Sequence, residues 1–570
     1  MPRLPLLRAS LLLLLAAASL TSVACPAVAA TPVVPAMPDD ATLAARIDAL
    51  LSPIFPADQP GAAVLVARDG RSVYRRGFGL GDLERKTTIA PEMVFRIGSV
   101  TKQFTAALVM RLVEQGRLGL QDDLTKYLPD YPTGGQGITI EHLLTHTSGI
   151  ASYTDQPAWA ARMAEDMTQA QIIDLFKNVP RGFDPGTKWA YSNSGYFLLG
   201  VIIEKVTGKS YAQGLADEIL TPLGMQHSGC GRSTPSFPGE VSGYERRDDK
   251  VVPAEPLSMT SPFAAGVIVS SVDDLLRWDG GLNTGRVLQP ASLERIFTPY
   301  VLKDGQATGY GYGWGLTQYE GHRIQEHSGG INGFFAHVMR LPDDHLYVAL
   351  LFNCGSPAVD GSFLALKIAA AAVGRPLPEP GDYTMSPEQL DRFVGVYEAD
   401  PATTRAISRE GAQLYSQRGG GARLEIFPTS DSTFAYVGRA TRVKFRFAAA
   451  GRADRMIMSQ SGIEQVSRRT DKPLPPPRTA ITLDPAGLEA CVGAYELAPG
   501  FRIVVTREGA RLMAQATDQP KFEIFPESPT LFFLKVVDAQ IEFHPGPDGR
   551  MSTMVLHQGG QDMPGKRVAE

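Results

Sequence analysis

The C-terminal third of this 570-residue chain is written twice. Gly395-Val396-Tyr397-Glu398 recurs 98 positions later as Gly493-Ala494-Tyr495-Glu496, Arg409-Glu410-Gly411-Ala412 as Arg507-Glu508-Gly509-Ala510, and Glu425-Ile426-Phe427-Pro428 as Glu523-Ile524-Phe525-Pro526. Gly451-Arg452 and Gly549-Arg550 keep the offset, as do Gln460 and Gln558, so the register runs through without a net gap. Each copy holds short alternating runs, such as Arg502 to Thr506 and Phe522 to Phe525, cut by Gly, Asp and Pro turns. Neither copy has a long helical period, which predicts a small antiparallel barrel or sandwich for each.

Two Pro-rich stretches, Gly374 to Pro380 and Lys472 to Pro477, read as semi-rigid linkers around the first copy. They divide the chain into an N-terminal domain at 31–375 and repeats at 386–471 and 479–570, sizes of about 340, 90 and 90 residues that can each bury a core. Ahead of them, Arg3 and Arg8, the apolar run Leu11 to Ala18 and the small residues Ala27-Val28-Ala29 form a secretory signal over residues 1–30. The expected location is periplasmic or secreted. Lipid attachment at Cys25 is the weaker alternative, because Ser22 stands where a lipoprotein signal usually has Leu.

With a net charge of −5 and Lys and Arg scattered along the sequence, the chain carries no basic footprint, which argues against nucleic-acid binding. No later stretch has the roughly 18 to 20 uninterrupted apolar residues of a membrane span. Cys230, Cys354 and Cys491 remain after the signal, far apart in sequence and open to at most one disulfide. Cys354 lies in an apolar run, and Cys491 falls at the position of Phe393 in the first repeat. Both therefore read as packing residues.

The N-terminal domain mixes two periods. Ala41 to Leu51 predicts a helix, and Gly61 to Arg68 with Ser72 to Gly79 predicts a hairpin turning at Asp69-Gly70. A helix through Phe104 to Gln115, closed by Gly116, precedes a largely helical middle from Ile138 through Ser210. Strand patterns return at His337 to Leu341 and Leu346 to Asn353. The reading is α+β: an antiparallel sheet built from both ends of the domain, flanked by helices and carrying a helical subdomain, followed by the two small barrels.

Three short patterns in this domain carry chemistry. Ser99-Val100-Thr101-Lys102 places a hydroxyl and an amine three apart on one helix face, a nucleophile beside its base. Phe95, Ile97, Val100 and Phe104 surround the pair, so Lys102 is expected to be partly desolvated and its pKa lowered. Tyr191-Ser192-Asn193, in an extended or loop segment, can bring a phenol and an amide to the same side. Trp189, Tyr191, Tyr196 and Phe197 would form an aromatic wall there, and Lys102 with a second cation, for which His327 is the candidate, would lower the Tyr191 pKa. His327-Ser328-Gly329 then offers a strand edge for an acyl chain, and the N–H of Gly330 can pair with that of Ser99 as an oxyanion hole. Each pattern alone is common. His142 and His146, four apart, lack a third metal ligand and read as helix packing, so no metal or cofactor is expected.

Order and neighbours raise the set. Phe95 to Thr105 resembles the nucleophile helix of the penicillin-binding protein and class C β-lactamase family, and His142-Leu143-Leu144-Thr145-His146-Thr147-Ser148-Gly149 is similar to that family's segment ahead of its Tyr-x-Asn pattern. The resemblance covers roughly residues 40 to 370. It implies Ser99 as the acylated nucleophile, Lys102 and Tyr191 as proton carriers, Asn193 as the substrate amide anchor, and the Ser99 and Gly330 N–H groups as the oxyanion hole. His327, Ser328 and Gly329 would line the substrate. Class C β-lactamases have Lys-Thr-Gly at the third pattern, whereas the His form here resembles D-aminopeptidases and some D-Ala-D-Ala peptidases. D-aminopeptidases of this type also carry two C-terminal eight-stranded barrels. The resemblance thus implies an exported serine hydrolase acting on D-amino-acid amides or short peptides, with an esterase, a β-lactamase or a non-turnover penicillin-binding sensor as alternatives. Its partner is a small-molecule or short peptide substrate, and assembly as a homodimer is left open.

Overall fold

The computed structural model describes residues 37–568 apart from 248–249, 401–402, 420–422, 449–450, 461–462, 476–479, 499–500, 518–520, 536–538, 548 and 559–560. The signal pattern at residues 1–30 lies outside the described residues. Helix α1 (Asp40–Leu51) starts on Asp39, whose carboxylate accepts the Thr42 N–H at 2.9 Å. Its Leu43, Ile47 and Leu51, four apart, form one buried stripe. Strands β1 (Ala62–Arg68) and β2 (Arg71–Phe78) form a hairpin whose turn, Asp69 and Gly70, has φ of 52° and 72°, the left-handed pair that a two-residue hairpin needs.

The sheet is completed from the far end of the domain. Strands β3 (Gly315–Tyr319), β4 (His322–Ile331), β5 (Phe334–Leu341) and β6 (Leu346–Phe352) give the antiparallel order β3-β4-β5-β6-β1-β2. β1 and β6 are apolar almost throughout because both faces of the sheet are covered. Ala62, Val64, Val66, Val348 and Leu350 pack with α1 and with helix Gly361–Ala372 on one face. Ala63, Leu65, Ala349 and Leu351 pack on the other with the helices inserted between the two halves of the sheet. The middle is less helical than its apolar pattern predicts: the helices Ile140–Leu144, Pro157–Ala160 and Gln169–Asp174 are one to two turns long. Helix Asn193–Thr207 is the exception, and it buries Tyr196 to Ile203 without a break.

Both repeats are closed eight-stranded antiparallel barrels, spanning Gly395–Thr470 and Gly493–Val568. Their matching extends to single contacts: the Tyr397 hydroxyl donates to Phe393 O and that of Tyr495 to Cys491 O, while Arg469 and Arg567 lie over the two rings at 5.8 and 5.9 Å. Phe393 and Cys491 are both fully buried, and Cys230, Cys354 and Cys491 are free thiols. Arg442 of the first barrel ion-pairs with Glu320 and donates to the Tyr319 hydroxyl at 2.7 Å, which ties that barrel to the β3–β4 turn. No helix among the described residues is long and apolar enough to cross a membrane.

Between sheet and helices, Arg340 on β5 donates from Nε to Asp279 Oδ1 at 2.5 Å and from Nη1 to Gln325 Oε1 at 2.8 Å, with both charges nearly excluded from water. Removing one partner leaves the other charge buried and unpaired. Asp279→Ala is therefore expected to destabilise the domain by about 3–5 kcal/mol, read as a fall in the denaturant midpoint.

Candidate active site

Ser99 stands in a one-turn 3-10 segment, Gly98–Val100, that leads directly into helix Thr101–Glu114, so Lys102 falls in the first α-turn below it. The i, i+3 relation predicted from sequence holds, with the serine on the tighter turn rather than inside the α-helix. Gly98, at φ 50°, makes that turn possible.

Lys102 is fully buried, and its Nζ lies 3.0 Å from Ser99 Oγ, 2.8 Å from Asn193 Oδ1 and 2.8 Å from Ala265 O. The rings of Tyr191 and Tyr196 close over it at 4.8 and 5.5 Å. Burial pushes its pKa well below the ordinary lysine value, and among the described residues no carboxylate pairs with it. A neutral amine has two N–H bonds and one lone pair. With the Asn193 and Ala265 carbonyl oxygens accepting from Nζ, a neutral Lys102 would turn its lone pair to the Ser99 hydroxyl.

Tyr191 lies in the loop that the sequence reading allows, whereas Asn193 does not. Asn193 is the first residue of helix Asn193–Thr207, with Tyr191 just ahead of it. The Asn193 N–H donates to Ser152 Oγ and its Nδ2 to Thr154 Oγ1, both at 3.1 Å. The Ser192 N–H donates to His146 Nδ1 at 3.1 Å. Tyr191 is 37% exposed, and its hydroxyl is hydrogen-bonded to Ser99. Burial raises its pKa, offset in part by that Ser99 contact, so the phenol is neutral at rest.

The expectation of a second cation is corrected by His327. Burial pushes its pKa down to about 3, because charging it there would cost its hydration. Its Nδ1 is 2.5 Å from Ser328 O and therefore carries the proton, while Nε2 accepts from the Tyr310 hydroxyl at 2.8 Å. The aromatic wall is also rearranged. Trp189, Tyr191, Tyr196 and Tyr310 surround the His146 ring at centroid distances of 4.4–6.2 Å, whereas Phe197 turns away to pack on Tyr153 and Phe263. His142 caps its short helix, with Nδ1 accepting the Thr139 N–H, and His146 lies beyond the helix at φ 59°, so the two share no face.

β4 is paired with β3 only as far as Glu326, which leaves the following residues as the local edge the sequence predicts. Strand alternation turns His327 and Gly329 toward the Ser99 turn and leaves Ser328 on the other face, in register with His337. What Ser328 brings to the site is its carbonyl. A Cβ on Gly329 would stand 2.0 Å from Ile97 O and 2.8 Å from Ser99 N, and one on Gly98 would stand 3.0 Å from Gly330 O. The two backbones touch, and only glycine fits between them.

Tyr310, Ala265, Ser152 and Thr154 were not singled out by sequence. The run Gly309-Tyr310-Gly311-Tyr312-Gly313-Trp314 is a visible aromatic–glycine signal, but nothing in it names a partner.

The beta-lactamase family model matches residues 48–373, more than half of the chain. This chain belongs to the beta-lactamase family. It is accordingly a serine hydrolase of that fold, related to penicillin-binding proteins and D-aminopeptidases. A penicillin-binding protein of Bacillus subtilis (strain 168) is 30% identical over 437 residues, covering 72% of this chain and 95% of that protein. A D-aminopeptidase of Gluconobacter oxydans (strain 621H) is 28% identical over 399 residues, covering 68% and 69%. Among solved structures, the octameric penicillin-binding protein homologue from Pyrococcus abyssi matches with a TM-score of 0.53 at 25% identity, covering 76% of this chain and 100% of that one. A model described as a domain of unknown function (DUF3471) matches residues 477–567, the second barrel.

In this beta-lactamase-family protein the Gly329 contact makes a direct prediction. Gly329→Ala must push the Ser99 turn aside, and it is expected to slow labelling of Ser99 by a fluorophosphonate by about 100-fold, as for a misplacement of about 1 Å. Mass spectrometry of the labelled peptide reads the result.

Proposed function

We propose that this protein is an exported serine hydrolase that forms an acyl-enzyme on Ser99, with amides of D-amino acids or short peptides containing them as substrates. The observation that carries the reading is the buried Lys102, whose Nζ lies 3.0 Å from Ser99 Oγ and whose pKa burial pushes well below the ordinary lysine value. Ser99 Oγ attacks the substrate carbonyl as its proton passes to Lys102 Nζ. The Ser99 and Gly330 N–H groups receive the oxyanion, and Asn193 holds the substrate amide. The proton reaches the leaving amine by way of Tyr191, whose neutral phenol can relay it without first ionising. Water then attacks the ester, using the same pair in reverse. His327, Ser328 and Gly329 form the wall along which the acyl group lies.

The D-amino-acid preference is supported by the D-aminopeptidase relative and by the neutral His327 beside the nucleophile. Periplasmic or secreted location is supported by the signal pattern at residues 1–30. Self-association, as a homodimer or larger, is supported by the octameric assembly of the Pyrococcus abyssi homologue.

Ser99→Ala is expected to abolish both hydrolysis and fluorophosphonate labelling, and undiminished turnover would overturn the mechanism. The substrate class is tested with D- and L-aminoacyl amides, acyl-D-Ala-D-Ala peptides, aryl esters and nitrocefin on one preparation. Preference for D-residues supports the reading, and preference for aryl esters replaces it with an esterase.

The pH profile tests the base. Protonating Lys102 removes its lone pair, so kcat/KM is expected to fall as pH drops through an ionisation lying well below 10.5. Since His327 titrates near 3, His327→Gln should leave that limb in place. Lys102→Arg, which stays charged, should lose about 1000-fold in kcat/KM at every pH measured.

A further inference from the structure

A cavity of about 1110 Å³ lies between the sheet and the first barrel, and the acylation scheme makes no use of it. One wall is the face of the sheet turned away from Ser99. Glu326 alternates with His327 along β4, so it projects on the opposite side from the nucleophile, beside Ile324 and beside its own cross-strand partner, Met339. Phe363 and Leu366 of helix Gly361–Ala372 complete an apolar patch there. The polar part of this wall is held in place. His337, 2% exposed, has Nδ1 3.1 Å from Ser362 Oγ and Nε2 3.2 Å from Glu326 Oε2, which fixes the carboxylate against the strand. The contact of Glu326 Oε1 with Thr317 Oγ1, at 3.5 Å, is long, so that oxygen keeps acceptor capacity toward the cavity.

The facing wall is the outside of the barrel. Val443 and Phe445 point into the barrel core, so Arg442 and Lys444 point out. Arg442, Ser459 and Glu464 stand in register across three neighbouring strands, Arg442–Phe447, Ala453–Gln460 and Ile463–Thr470. Arg442 is committed to Glu320, which Arg375 also reaches. Lys444 and Glu464 are both exposed, and among the described residues neither makes an ion pair. Arg439, in the turn ahead of these strands, is likewise unpaired among the described residues. The register sets the separation of the two opposite charges. Glu464 lies two strands from Lys444 and two residues along, which at about 4.8 Å per strand and about 3.4 Å per residue puts the two Cα atoms about 12 Å apart.

A cation and a carboxylate held that far apart, across from an apolar wall, fit a ligand with opposite charges at its two ends. At about 3.3–3.6 Å per residue, an extended peptide of about three or four residues reaches from one to the other. We infer that this cavity is a second binding site, for a short peptide with free termini: Lys444 takes the terminal carboxylate, Glu464 the terminal ammonium, and Glu326 a main-chain N–H from the opposite wall. The site lies behind the strand that borders the nucleophile and takes no part in acylation.

The test is calorimetric titration of the full chain carrying Ser99→Ala, so that turnover at Ser99 does not obscure binding, with L-Ala-L-Ala-L-Ala and its N-acetyl and C-terminal amide forms. Saturable binding is expected for the free tripeptide, weakened about 10-fold by blocking either end. Lys444→Gln and Glu464→Gln, which alter exposed side chains and leave the barrel core untouched, are each expected to cost about 10-fold as well. The pairing identifies the ends: Lys444→Gln should no longer respond to amidation, and Glu464→Gln should no longer respond to N-acetylation. Absence of saturable binding would overturn the inference, as would unchanged affinity in both variants, which places the peptide in the catalytic cleft instead. Displacement of the peptide by inorganic phosphate, with no effect of N-acetylation, would replace it with a simple anion site. Because binding is read in Ser99→Ala, none of these outcomes bears on the acyl-enzyme reading, which labelling of wild-type Ser99 tests.

Discussion

The site is organised around a lysine amine removed from water without a counter-ion. An ammonium in that position would lose its hydration and gain only carbonyl dipoles and ring faces, so burial pushes the Lys102 pKa well below the ordinary lysine value. Two carbonyl oxygens, from Asn193 and Ala265, accept hydrogen bonds from that nitrogen, and Ser99 Oγ lies in the remaining direction at 3.0 Å. The surrounding fold serves that enclosure. Gly313, at φ 76°, brings its backbone so close to the first turn of the helix that a Cβ would stand 2.6 Å from Lys102 O. The short helix carrying Ala265 begins at Phe263 with φ 37°, a strained geometry for a non-glycine residue, held by packing on Phe197 and Tyr211.

The same dryness governs the other side chains. His327 and His146 cannot hold charge where they are, and each solves its tautomer through a backbone partner: His327 Nδ1–H donates to Ser328 O, and His146 Nδ1 accepts the Ser192 N–H. The first bond fixes the ring that lines the cleft. The second pins the residue between Tyr191 and Asn193, so a histidine outside the reacting atoms helps set the position of two groups beside them. In the proposed mechanism the acid–base work inside this enclosure falls to lysine and tyrosine.

The sheet is the rigid support for this arrangement, and it connects the site to the first barrel. β4 carries Glu320 and Gly321 at its turn and His327 to Gly330 at its other end. Arg442 from the barrel grips that turn through Glu320 and Tyr319, and Arg375, in the linker, also reaches Glu320 at 3.5 Å. The connecting segment and the barrel therefore brace the far end of the strand that borders the nucleophile.

What the sequence determined by itself was local or periodic. The i, i+3 spacing of Ser99 and Lys102, the left-handed turn at Asp69-Gly70, the strand-forming runs of both sheet halves and the 98-residue duplication each depend on neighbours a few positions apart or on identity at fixed offset. The exchange of Phe393 for Cys491 kept its packing meaning for the same reason. Tertiary structure decided the rest. Protonation depends on burial from all sides, which turned His327 from an expected cation into a neutral ring, lowered the Lys102 pKa and raised that of Tyr191. Tyr310, Ala265 and Thr154 lie 17, 163 and 39 positions from the groups they hold, so no local pattern could name them. The middle region, read from its sequence as largely helical, forms short helices apart from Asn193–Thr207. Only closure of the cleft gave these scattered groups a common interior, and with it their chemistry.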